Sequence, residues 1–245
     1  MPNDTLPDWE AVLSAAARLQ GILPDAVLVG GTASAVHAGH RLSTDADHVL
    51  TDLRERFESV LLELESVAGW KTARVQRPVQ ILGSLDGIET GVRQLIRDEP
   101  LETTQVELLG QKLTIPTEAE ILRIKGVLIL KRNATRDYLD FVALADRMDS
   151  DKVAEALRHF DRLYPQPNDE SALQQLQIQL ANPLPYDLEG VILSEYKHLD
   201  RRWQDWNTVK RVCADCTTLI FDQIIGSEDA DSGNNAGTQT GVLTQ

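Results

Sequence analysis

Cysteine is almost missing from this chain: two in 245 residues, Cys213 and Cys216. One CxxC has no second pair to complete a tetrahedral zinc site and cannot staple a fold, so two reduced thiols are expected. Long apolar runs are missing as well. No stretch approaches the roughly 20 residues a membrane span needs, and Met1 to Glu10 has neither the basic nor the apolar region of a signal peptide. The expectation is a cytoplasmic protein with no membrane contact. Cations are scarce: 24 Lys and Arg against 38 Asp and Glu give a net charge of -14. That excludes an extended basic face for nucleic acid, and any contact with RNA must be local.

What remains is ordinary globular material, 42% hydrophobic and 25% charged, enough to bury a core in one larger domain or two small ones. The sequence predicts an α/β (α+β) fold: a mixed sheet with flanking helices over 1–115, a helical part over 116–226, and a disordered tail over 227–245. Trp9, Val12, Leu13, Ala16 and Leu19 recur at helical spacing. Ala26 to Val29 reads as a short buried strand that ends at Gly30-Gly31, with a small-residue helix over Thr32 to Ala38. Asp45 to Leu50 alternates like a strand, and Phe57, Val60, Leu61 and Leu64 mark another helix. Strands follow near Trp70 to Arg74, Val79 to Leu85, Ile88 to Ile96 and Gln105 to Ile115, with turns at Asp86-Gly87 and Gly110-Gln111. Past Pro116 the pattern is helical, opened by a capping-box-like Thr117-Glu118-Ala119-Glu120. The tail from Ser227 is poor in apolar residues and rich in Ser, Gly, Asn, Thr and Gln.

The chemistry concentrates in Val29-Gly30-Gly31-Thr32-Ala33 and Arg41-Leu42-Ser43-Thr44-Asp45-Ala46-Asp47. Two glycines at a strand-to-helix turn let backbone N–H groups approach an anion, and the helix start adds a favourable dipole for phosphate. Thr32 and Ser43 are candidate hydroxyl donors. Asp45 and Asp47, two apart on a strand, point to one face and suit hard divalent cations, magnesium with substrate phosphates being the expected use. Glycine pairs are mostly turns and Asp-x-Asp is mostly a solvated strand edge, but their order and separation here favour a site.

Gly-Gly, a short helix, then Ser-x-Asp-x-Asp resembles the signature of the nucleotidyltransferase superfamily. Ile115-Pro116-Thr117-Glu118, then Lys125, then Lys131-Arg132-Asn133-Ala134-Thr135-Arg136-Asp137-Tyr138-Leu139-Asp140, looks like the second half of the AbiEii/AbiGii toxin family, which includes the MenT toxins. The likeness covers residues 25 to 148. It implies a bacterial toxin of a toxin-antitoxin or phage-defence pair, transferring a nucleoside monophosphate from a nucleoside triphosphate to an acceptor such as tRNA and neutralised by a cognate antitoxin. It implies that Gly30, Gly31 and Ser43 hold the triphosphate, that Asp45 and Asp47 bind magnesium (one ion or two), that Lys125 neutralises phosphate charge, and that Asp137 is a further active-site carboxylate. Nucleotidylation of a small cationic acceptor and a nucleotide-binding protein without turnover are the alternatives.

Many nucleotidyltransferases carry a third acid on a later strand, where Gly87 to Arg93 offers Glu89 first, as metal ligand or base, and Asp86 second. Lys125 taken alone reads as a snorkelling surface lysine. Arg132 and Arg136 are either phosphate contacts or ion-pair partners of Asp137 and Asp140. His37, His40 and His48 lie on different elements and are not expected to share a metal, with His48 nearest the nucleotide. The segment from Tyr196 to Trp206 either touches an RNA acceptor or buries Trp203 and Trp206 in a helix.

Overall fold

The computed structural model describes residues 8–235. Helix α1 (Trp9–Ile22) buries Val12, Leu13, Ala16 and Leu19, the helically spaced set, and Asp8 caps it. Strand β1 (Val27–Leu28) runs into α2 (Gly30–Ala38), and β2 (Asp45–Leu50) returns beside β1. Next come α3 (Phe57–Glu65), β3 (Trp70–Gln76), β4 (Gln80–Leu85) and β5 (Ile88–Gln94). These strands form one mixed sheet in the order β1-β2-β5-β4-β3, in which only β2 and β5 are parallel. β4 and β5 are joined by the expected turn at Asp86-Gly87, whose two positive φ angles of 53° and 85° fit a type I′ hairpin.

β6 (Thr103–Leu108) and β7 (Gln111–Pro116) form a separate antiparallel hairpin. Its turn lies one residue before the predicted Gly110-Gln111: Leu109 and Gly110 take the positive φ angles, 48° and 73°. Helix α4 (Glu118–Arg132) begins as its capping signal implies, with the Thr117 hydroxyl accepting from Glu120 N at 3.2 Å. Glu120 does not complete the box, because its buried carboxylate is held by Arg97 and Arg123. Helices α5 (Thr135–Arg147), α6 (Ser150–Leu157), α7 (Phe160–Leu163) and α8 (Ala172–Ala181) follow, and α9 (Trp206–Asn235) ends the described part. α9 therefore takes up the start of the segment read as a tail, and residues 236–245 lie outside the described residues.

One apolar cluster crosses the expected 115/116 boundary, joining Leu28, Ala33, Ala46 and Ile115 to Tyr138, Phe141, Leu176 and Val209. A second cluster sits between α1, α3 and the sheet, built on Leu19, Phe57, Val60, Ile81 and Val92. Cys213 and Cys216 are free and buried in the first cluster, where burial raises both thiols and leaves them unreactive. Among the described residues no helix is long and apolar enough to cross a membrane.

The alternation of β2 decides what each side chain meets. Ala46, His48 and Leu50 face the packed side, while Asp45, Asp47 and Val49 line an open cavity. His48 is thus turned away from that cavity, against the sequence expectation; it is fully buried, with Nδ1 against the Ala46 carbonyl at 3.0 Å. Burial lowers its pKa to about 4. A histidine whose folded pKa lies below its unfolded value of roughly 6.5 binds fewer protons folded, so its contribution is intact above pH 6.5 and lost as pH falls towards 4. Denaturant unfolding should show stability dropping by about 2 kcal/mol between pH 7 and pH 5, with a flatter slope in His48→Leu; an unchanged slope in that variant contradicts the assignment.

Candidate active site

The strand-to-helix turn builds one wall. Gly30 opens α2 with φ of 71°, a left-handed conformation that side chains resist, and a Cβ there would approach the Asp47 Cβ to 3.6 Å. Gly31 has a different reason to be bare: a Cβ would lie 2.5 Å from Arg41 Nη2 and 3.0 Å from Ser43 Oγ. The helix start carries no side-chain cap, since its N-cap is Val29, so no side chain occupies its first N–H groups, and Gly30 and Gly31 line the cavity. Thr32 and Ser43 do not serve as free donors. The Thr32 hydroxyl donates to the Asp45 carbonyl, and Ser43 Oγ donates to Asp45 Oδ1 at 2.9 Å. Both fix the acidic strand rather than reach the cavity.

Asp45 and Asp47 line the cavity together, as their spacing implies. Burial, with Asp45 adding repulsion, raises the Asp47 carboxyl despite Arg93, whose Nη2 stands 3.7 Å from Asp47 Oδ1. Glu89 is level with Asp45 on the neighbouring parallel strand and lines the same cavity, whereas Asp86 sits at the far turn and pairs with Arg18. Among the described residues no group of three or more His, Cys, Asp or Glu is set to hold a metal by itself. A pair of neighbouring carboxylates nonetheless suits magnesium, which commonly takes one or two protein carboxylates and fills its remaining positions with phosphate and water.

Opposite the acids, α4 and α5 deliver a buried ionic knot. Asp140 is wholly buried and accepts from Arg41 Nε and Nη2 at 2.7 and 3.0 Å, from His40 Nε2 at 2.8 Å and from Lys125 Nζ at 2.8 Å. Burial alone would push its carboxyl up, but Arg41 and Lys125 outweigh it and hold the pKa well below the usual carboxylate range. Arg41, which burial works against, is held charged by the same contact. Lys125 is 1% exposed, which rules out the snorkelling reading. Asp137, by contrast, is fully buried under Arg132 through a two-pronged pair of 2.5 and 2.6 Å and does not line the cavity. The Arg-Asp-Tyr-Leu-Asp segment therefore contributes Asp140, not Asp137, to the site. Arg136 is exposed, lines the cavity and has no ion pair among the described residues.

Trp203 is buried and Trp206 packs edge-on against Tyr138 with ring centroids 6.1 Å apart, so the tryptophans are structural. Tyr196 and Lys197 of the same segment line the cavity, so the two readings of the segment divide between its two ends. The cavity measures about 1200 Å³ and runs between the sheet and α4, from the Gly30 turn to Leu95, Ile96 and Tyr164. Ten Lys and Arg line it against six Asp and Glu, a basic interior in a chain of net charge -14.

No family model matches the chain. It is 38% identical over 130 residues to the mycolic acid-containing lipids exporter MmpL11 of Mycolicibacterium smegmatis, over 52% of this chain and 13% of that protein. It is 33% identical over 243 residues to the heme uptake protein MmpL11 of Mycobacterium tuberculosis, over 88% of this chain and 23% of that protein. The chain spans less than a quarter of the length of these relatives, and their names describe the whole proteins. Among solved structures, a candidate nucleotidyltransferase from H. pylori matches with a TM-score of 0.50 and 15% identity, over 91% of this chain and 98% of that one. An antigenic nucleotidyltransferase-like protein from Paracoccidioides brasiliensis matches with a TM-score of 0.44 and 18% identity, over 64% of this chain and 88% of that one. The near-complete match to the H. pylori structure shows that the mixed sheet, its helices and the helical second half form a nucleotidyltransferase-like fold.

Proposed function

We propose that the chain is a magnesium-dependent nucleotidyltransferase that moves a nucleoside monophosphate from a nucleoside triphosphate to an acceptor hydroxyl. The observation that carries this reading is the facing of Asp45 and Asp47 by the bare start of α2 and by Lys125, Arg41 and Arg136, all on one cavity. In such chemistry positioning and cationic charge supply most of the catalysis. Gly30 and Gly31 would receive phosphate oxygens on backbone N–H groups, with Lys125 and Arg136 as counter-charges and Arg132 beside them at the cavity wall. Asp45 and Asp47, with Glu89 as third candidate, would hold magnesium, which when bound supplies positive charge to the phosphate oxygens.

The acceptor oxygen bonds to the α-phosphorus, the bond from that phosphorus to the bridging β-oxygen breaks, and pyrophosphate leaves. Glu89, exposed on β5 with no ion pair among the described residues, takes the acceptor proton. The basic lining repels a cationic small-molecule acceptor and favours an anionic one, which supports an RNA end such as that of tRNA over an aminoglycoside-like substrate. With the second-half motif of the AbiEii/AbiGii type, this supports a cytoplasmic toxin held in check by an antitoxin protein.

Purified protein with magnesium and α-labelled triphosphates should label total tRNA. Labelling of no RNA, protein or small molecule beside a working control enzyme contradicts the proposal. Asp45→Ala combined with Asp47→Ala should lower transfer by about 10³-fold or more with thermal stability equal or higher, because like charges are removed; transfer near the wild-type level contradicts the site. Asp140→Asn should act on both fold and rate. It leaves Arg41 and Lys125 buried without their counter-charge, at a cost of about 3 kcal/mol, and a calorimetric midpoint unchanged from wild type contradicts the knot.

A further inference from the structure

Lys197 lies outside the glycine-turn, Asp-x-Asp and Arg-Asp-Tyr-Leu-Asp motifs, in the segment read as a candidate acceptor contact, yet it reaches the same cavity as Gly31, Asp45 and Lys125. Its backbone and that of His198 both occupy the left-handed region, with φ of 44° and 54°. Two consecutive residues with side chains rarely adopt this conformation, which persists only where the surroundings enforce it. The enforcement is visible on both flanks. Leu42 N donates to the Lys197 carbonyl at 2.9 Å, and Asp200 N donates to the His40 carbonyl at 2.7 Å, so the segment is tied to the residues on either side of Arg41.

The ammonium group that this strained segment delivers has no carboxylate within ion-pair range among the described residues. Among the described residues it donates to Thr44 Oγ1 at 3.1 Å, beside Asp45. Burial lowers its pKa; Asp45 offsets part of that, and Arg41 and Arg136 add repulsion. Of these three cations, only Arg41 has an ion-pair partner among the described residues, Asp140. A half-buried lysine near two arginines, with Asp45 as its nearest attracting acid but no ion pair of its own among the described residues, gains from an anion that joins them.

We infer that Lys197 is a phosphate-binding residue, which with Arg136 clamps the outer phosphates of the bound triphosphate. This rests on the nucleotidyltransferase reading and adds to it that the site is completed by the segment before α9. The clamp recognises the phosphates beyond the first, so it discriminates triphosphate from monophosphate rather than one base from another.

Calorimetric titration with magnesium, using a non-hydrolysable triphosphate, the matching monophosphate and inorganic tripolyphosphate, separates the outcomes. Lys197→Met should weaken triphosphate and tripolyphosphate binding by about tenfold to a hundredfold, the loss of one charge-assisted hydrogen bond, and leave monophosphate binding unchanged. Lys197→Arg should restore most of it, since it keeps the charge on the same backbone, and a thermal melt of each variant verifies the fold. Equal tripolyphosphate affinity in Lys197→Met and wild type overturns the clamp alone, as does an equal loss for monophosphate. Failure of the wild type to bind any triphosphate overturns the clamp together with the nucleotidyltransferase reading.

Discussion

The site depends on a single buried carboxylate. Asp140 on α5 draws in Arg41 from the connection between α2 and β2, His40 beside it, and Lys125 from α4. Three elements far apart in sequence are thereby fixed at one point, and each cation is delivered to the cavity with its direction already set. A buried ion pair adds little stability when compared with well-packed apolar residues, because desolvation consumes most of the attraction. Its value lies in placement: a carboxylate with four donors on it allows one arrangement of those donors. Gly31 belongs to the same constraint, since the Arg41 guanidinium fills the space a side chain would need.

Around this knot the charges are sorted by strand geometry. Period-two alternation on β2 sends Asp45 and Asp47 into the cavity and His48 into the core. The parallel partner β5 sets Glu89 level with Asp45. Facing them, the bare start of α2 and the cations of α4 and α5 make a basic hollow in an acidic molecule. Net charge governs solubility and long-range steering, whereas binding responds to the local field, and here the two have opposite signs.

Local signals in the sequence were sufficient where a short-range rule acts alone. The shared face of Asp45 and Asp47, the Asp86-Gly87 turn, the Thr117 cap and the apolar face of α1 each follow from a period or a turn preference, and the structure contains them. Choices that depend on packing between distant elements were not legible. Asp137 and Asp140 lie three apart on one helix, and which of them faces the site is settled by Arg132 claiming one and Arg41 the other. Thr32 and Ser43 look like phosphate donors by residue type, but they are spent on the backbone and side chain of Asp45. Lys197 is separated from Thr44 by 153 positions, and nothing near it in the chain hints at the contact. His48 is the opposite case: alternation already assigned it to the face away from Asp47.

The central claim is that polyphosphate lies between the start of α2 and the Asp45–Asp47 strand. A crystal structure with magnesium and a non-hydrolysable nucleoside triphosphate tests it most directly. The account predicts continuous density from the Gly30 and Gly31 N–H groups to the two carboxylates, with the outer phosphates beside Lys197 and Arg136. Nucleotide bound elsewhere on the chain, with that space filled by solvent at saturating ligand, would contradict it.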